Sequence, residues 1–166
     1  MMIKGYFFLS LLFPFVAGAS IDVPEVIKVP VAQIAKLTAH AIGDQIYQCV
    51  LQNNVYVWQI QAPDAKLFDM KGLVVGNHYS GPIWEYKGGS RVVGRVVSKV
   101  DLGSSIPWLL VEVIAHYGAG MFSDINFINR VNTQGGLMPT SPCNANHLGS
   151  EKRINYTADY IFYSAR

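Results

Sequence analysis

Charge is what this sequence has least of. Lysine, arginine, aspartate and glutamate make up 14% of it, against about 25% in an average globular domain. Neither sign dominates. Of the 13 basic residues only Lys4 lies in the first nineteen positions, which hold no acid, so the remainder balances twelve basic against 11 acidic residues. A balance so near neutrality speaks against nucleic acid as a partner and against an electrostatic hold on a membrane surface. Long apolar runs are missing as well. The run Tyr6 to Val16 is interrupted by Ser10 and Pro14, and falls short of the roughly 20 apolar residues a spanning helix needs.

Catalytic and metal signatures are also lacking. There is no Gly-x-Ser-x-Gly elbow, no His-Glu-x-x-His, no Cys-x-x-Cys and no strand–glycine loop–helix pattern to cradle phosphate. His40, His78, His116 and His147 never fall at short ligand spacing. No cofactor and no metal is therefore expected. Cysteine is reduced to Cys49 and Cys143. In an oxidising compartment an even pair reads as a disulfide; the other reading is two buried thiols.

What is present begins with a leader. Lys4, the apolar run behind it and Ala17-Gly18-Ala19 have the layout of a secretory signal peptide over residues 1–19, cleaved after Ala19. The mature chain is then expected to be soluble and periplasmic or secreted, with no integral membrane segment left after cleavage. Residues 20–41 read as an N-terminal arm. Ile21 to Pro30 is punctuated by Pro24 and Pro30, and Val31 to Ala41 is compatible with helix or strand. Residues 42–166 read as one β-domain.

From Gly43 the apolar period is two. Asp44 to Leu51 and Val55 to Ile60, split by Gln52-Asn53-Asn54, predict a hairpin. Ala62-Pro63-Asp64 predicts a break, with a further short strand over Ala65 to Met70. Gly94, in the middle of the β-branched run Arg91 to Val100, predicts a bulge or a tight bend. Pro107 to Tyr117 predicts a buried strand, Met121 to Thr133 another, and Arg153 to Tyr163 a closing one. The fold class is all-β: a single antiparallel β-sandwich or a closed or partly open β-barrel of about nine or ten short strands. An outer-membrane barrel fits the length, but glycine and proline inside the strands and the Ser-Ala-Arg terminus count against it.

The densest stretch is Gly76 to Glu85, where a histidine, two large aromatics, a carboxylate, two glycines and a proline share ten residues. Its residues supply the candidate ligand site: His78, Tyr79 and Trp84, joined by Trp108 and Arg130. The bound ligand would be a small apolar or amphipathic molecule, or the partner an envelope component. The alternatives are an enzyme using His78 with Glu85 or Asp69 as an acid–base pair, and a structural envelope protein. For Arg130 and for Glu112, a lone carboxylate in an apolar run, pairing with an opposite charge is the bland expectation.

Several motifs come in a familiar order. They are Gly43-x-Gln45-Ile46-Tyr47-x-Cys49, Trp58, Leu67-x-Asp69-x-x-Gly72 and His78-Tyr79-x-Gly81-Pro82-x-Trp84. Ile106-Pro107-Trp108-Leu109-Leu110, Ile128-x-Arg130-Val131-x-Thr133-x-Gly135-Gly136, Pro139 and Cys143 follow. Together they resemble an exported bacterial and fungal domain-of-unknown-function family, number thirty-four fifty-five, over Ile42 to about Tyr163. The resemblance implies a secreted, β-rich domain and brings no activity or substrate with it. The family commonly has Asp-Gly-Ser where this chain has Gly88-Gly89-Ser90.

Overall fold

A computed structural model describes residues 21–166. The leader expected over residues 1–19 lies outside them. Eight antiparallel strands follow one another: β1 (Gln33–Gln52), β2 (Val55–Phe68), β3 (Val74–Tyr79), β4 (Ile83–Tyr86), β5 (Arg91–Val100), β6 (Trp108–Tyr117), β7 (Ile125–Gly135) and β8 (Glu151–Ala165). Each pairs with the next, and β1 pairs with β8 from Gln33↔Ala165 to Gln48↔Glu151. The sheet thereby closes into an irregular barrel. Among the described residues the only helical pieces are single 3-10 turns at Glu25–Ile27 and Ala145–His147.

The strand count is eight instead of nine or ten because the expected break at Ala62-Pro63-Asp64 does not occur. β2 runs through it with a register shift: Ile60 lies opposite Tyr47, Ala62 opposite Ile46, and Gln61 is the extra residue. Pro63 is tolerated because β2 pairs with β3 only from Ala65 onward, so the ladder bond that proline cannot donate has no partner to miss there. Residues 33–41, expected in the arm, are strand. Their pairing with β8 settles a stretch whose own propensity is indifferent. The Asn53-Asn54 turn behaves as expected, both residues having positive φ (49° and 62°), the conformation a tight two-residue hairpin needs.

Alternate residues point inward. Ala39, Ala41, Leu67, Val92, Val111 and Ile128 pack with Trp84, Phe122, Tyr156, Tyr160 and Phe162 in one aromatic-rich core. Eight strands enclose a space that side chains can just fill. Phe122 stacks on Phe162 with centroids 4.5 Å apart and meets Tyr86 edge-on at 5.5 Å, filling the end that carries the β2–β3, β4–β5 and β6–β7 turns. On the outside, the arm buries Ile27 against Leu110, Val131 and Ile161, with Trp108 alongside. Asn129 ties it down by donating to the carbonyls of Ile27 (2.8 Å) and Leu109 (3.2 Å).

Candidate ligand-binding site

The open end is the other one, carrying the β1–β2, β3–β4, β5–β6 and β7–β8 connections. β3 and β4 are the shortest strands, with six and four residues between neighbours of 14 and 10. β2 therefore lacks a partner on this side above Ala65, and β5 pairs with β4 only from Arg91 to Val93. The short hairpin leaves a notch in the wall. A cavity of about 340 Å³ occupies it, with Ile60 to Pro63 on one side, Val96 on the other and Gly81-Pro82 at the hairpin tip. A second hollow of about 400 Å³, lined by Tyr47, Trp58, Ile106, Pro107 and Met138, shares Gln45, Ile60 and Arg130 with the first. The two form one cleft in the barrel mouth, a usual place for a ligand in such folds.

His78, Trp84 and Tyr160 make its inner wall. The imidazole of His78 stacks on the Trp84 indole, centroids 4.1 Å apart and planes 9° from parallel, and Tyr160 meets both edge-on. Room for the indole comes from Gly94: a Cβ there would sit 2.4 Å from Val111 Cγ1 and 2.8 Å from Trp84 Cζ3. The register shift expected at this glycine falls between Val93 and Gly94. Nδ1 of His78 lies 2.9 Å from the Ile83 carbonyl oxygen, which can only accept, so Nδ1 carries the proton. His78 is only 3% exposed. Burial foremost, with the Arg130 charge adding to it and the Ile83 bond opposing, depresses its pKa from 6.5 to about 3. The ring is thus neutral at physiological pH.

Arg130 is 9% exposed and Gln45 5%. Arg130 Nε donates to the Pro107 carbonyl at 3.0 Å. No carboxylate pairs with it among the described residues, and residues 1–20 contain no acid at all. The expected ion pair is therefore absent. Glu112 instead meets Arg95 at 2.6 Å on the outer face. A buried arginine without a counter-ion runs against the general rule. The Gln45 amide, facing the same cleft, makes no side-chain hydrogen bond among the described residues, and the buried Trp84 Nε1–H lacks a partner.

Of the residues expected in the site, the fold brings His78, Trp84 and Arg130 together and sends the others elsewhere. Tyr79 follows His78 on a strand and so faces out, where its hydroxyl donates to Glu85 at 2.5 Å. Trp108 lies on the outside under the arm. Asp69 caps the β2–β3 turn at the closed end, accepting from the backbone N–H groups of Leu73 and Lys71, which hold its carboxyl below the usual range. Neither Glu85 nor Asp69 touches His78, so no acid–base pair is assembled. Among the described residues no three His, Cys, Asp or Glu side chains gather as metal ligands.

Cys49 and Cys143 are bridged, their Cα atoms 5.5 Å apart. The bridge pins the loop after β7 to the upper part of β1, beside the mouth. Trp58 Nε1 donates to the Ser141 carbonyl at 2.8 Å, and Tyr47 Oη to the Gly136 carbonyl at 2.6 Å, securing the same loop.

A family model described as a protein of unknown function, DUF3455, matches residues 30–164. The chain belongs to that family. No curated protein and no solved structure matches it. Within this DUF3455 chain, Gln45 and Tyr160 are among the cleft residues that sequence reasoning did not select. Gln45 does stand inside one of the quoted motifs, but a glutamine in an alternating strand reads as a solvent-facing residue. Nothing singles out Tyr160 among nine tyrosines. A shallower groove of about 380 Å³ on the outer face, over β1, β7 and β8, is the weaker candidate. Its one carboxylate, Asp44, is already engaged, accepting from Asn155 Nδ2 at 2.6 Å and pairing with Arg153 at 3.4 Å.

Proposed function

We propose that this chain is an exported binding domain that holds a small apolar or amphipathic molecule in the barrel mouth. The observation that carries this reading is the notch above the short β3–β4 hairpin. There a cavity of about 340 Å³ is walled by His78, Trp84 and Tyr160, the buried Trp84 Nε1–H is left without a partner, and Arg130 and Gln45 line the same space. An interior sheet position normally places its polar groups against partners. A cleft that combines aromatic walls with a few unsatisfied donors has the make-up of a small-molecule site.

Export is supported by the leader-like first nineteen residues and by a long-range disulfide of the kind that persists in oxidising compartments. The outer face carries Lys66, Arg95, Glu112 and Arg153 at strand positions, while the packed core inside the barrel is apolar. A membrane barrel has the reverse arrangement, so we read the domain as one that works in water.

The test uses the purified protein and the uncharged dye N-phenylnaphthylamine. Dye fluorescence should rise on binding and tryptophan emission should be quenched. Val96→Trp fills the notch from a half-exposed position and leaves the core untouched. It should abolish dye binding without lowering the unfolding midpoint. Equal dye binding by the wild type and Val96→Trp would remove the site from this cleft. Native mass spectrometry of the exported protein gives the mass of any molecule carried through purification.

A further inference from the structure

We propose that the mouth cleft selects a monoanion, a compact aryl or alkyl carboxylate. Its head would sit on the free edge of the Arg130 guanidinium beside the Gln45 amide, and its body against Trp84 and Tyr160. The inference rests on the reading of the cleft as a binding site and adds the chemistry of what enters it.

Three observations carry it. Among the described residues Arg130 uses only Nε internally, toward Pro107, which leaves the two terminal nitrogens as a planar fork. Such a fork matches the two oxygens of a carboxylate. No acid anywhere on the chain is paired with it, so its charge is uncompensated until something else arrives. Gln45 brings an amide with free donors to the same hollow, itself buried and lining both lobes.

The charge inventory of the lining sets the valence. Among the described residues Arg130 is its only lysine or arginine, and no aspartate or glutamate lines either lobe. His78, the other ionisable base, is held neutral. One positive charge in a mostly apolar cleft balances one negative charge. A phosphate monoester, near −2 at neutral pH, would leave a second charge buried without a partner. The stacked His78–Trp84 pair and Tyr160 offer flat and edge surfaces for an aromatic or short aliphatic body.

The experiment compares three probes of one shape, naphthoate, naphthalenemethanol and naphthyl phosphate, by quenching of tryptophan fluorescence at neutral pH. Naphthoate is expected to bind at least about tenfold more tightly than the alcohol and the phosphate, the scale of a hydrogen-bonded ion pair withdrawn from water. Arg130→Met should bring naphthoate down to the alcohol. Gln45→Leu should cost several-fold for naphthoate alone. Arg95→Met, on the outer face, should change nothing. Should Arg130→Met fail to fold, the three-probe comparison on the wild type still decides. Equal binding of naphthoate and the alcohol, or preference for the phosphate, overturns the proposal while leaving the cleft intact as an apolar site. If neither these probes nor N-phenylnaphthylamine binds, the cleft is no site and the proposal falls with it.

Discussion

His78 and Arg130 are the two side chains whose burial runs against their chemistry, and each makes a measurable demand on stability. For His78 the folded pKa of about 3 lies below the ordinary 6.5, so the unfolded chain binds the proton more readily. The stability contributed by a neutral His78 is fully present above pH 6.5 and is lost as pH falls toward 3, by roughly 1.4 kcal/mol per unit. His78→Gln should flatten that part of the curve: in urea titrations at pH 6.5, 5.5 and 4.5, the gap between wild type and variant should narrow with acid. A constant gap would mean that the ring is not held neutral by burial. For Arg130 the expectation has the opposite sign. An unpaired buried cation is costly, so Arg130→Met should stabilise the empty protein by roughly 1–2 kcal/mol. A site residue that weakens its own fold is the pattern expected where binding, not packing, keeps it in place. Loss of stability in that variant would recast Arg130 as a structural prop through its Pro107 bond. The sequence already held part of this. His78 and Trp84 stood out by the company they keep, and strand parity alone tells that Tyr79, next to His78, must face away from it. Gln45 was illegible because which face of β1 is inside depends on β8 arriving from more than a hundred residues away.

Among the elements, the β3–β4 hairpin makes the cleft by being short, and β5 makes it usable by carrying Gly94. Gly94→Ala puts a methyl group into Val111 and the Trp84 ring. Overpacking of this kind costs about 1–3 kcal/mol. The ring lies in the cavity wall, so dye binding should weaken beyond what the stability loss explains. A variant that loses stability but binds normally would show that the indole can shift without consequence. The glycine was visible as a special position in a β-branched run, and the register shift beside it was foreseeable. The continuity of β2 was not. Pro63 reads as a stop unless one knows that its free side faces a notch with no neighbouring strand. The arm was equally opaque. Its prolines show that it is extended, yet only Leu110, Val131 and Ile161 on the outer surface explain why Ile27 is wholly buried. Ile27→Ala should cost about 2–4 kcal/mol, as for other large-to-small changes in a packed site, with the interior cleft unaffected.

At the scale of the whole molecule, closure of the ring leaves its mouth as the place where interior and solvent meet, and one covalent bond governs that mouth. The Cys49–Cys143 bridge spans 94 residues. In the chain-entropy model a loop of this length adds about 4–5 kcal/mol, a large share of the 5–15 kcal/mol that holds a typical domain together. The bond is placed where its loss should be felt locally first. The segment between Gly136 and Glu151 contains no strand, and Met138 within it lines the cleft. Apart from the bridge, the neighbouring wall holds the front of this segment through hydrogen bonds from Tyr47 and Trp58 to its backbone, from Lys152 to the Ser141 hydroxyl, and from the Gly136 N–H to the Asn155 carbonyl. With the bond reduced, the loop can lift while the β1–β8 ladder, the longest in the barrel, stays paired. Increasing reductant at constant temperature should therefore abolish N-phenylnaphthylamine binding at a point where far-ultraviolet circular dichroism still reports strands. The thermal midpoint should fall in the same samples. Simultaneous loss of binding and of strand signal would make the bridge a global clamp with no particular claim on the mouth. Unchanged dye binding in the reduced protein would mean that the loop shapes neither lobe of the cleft.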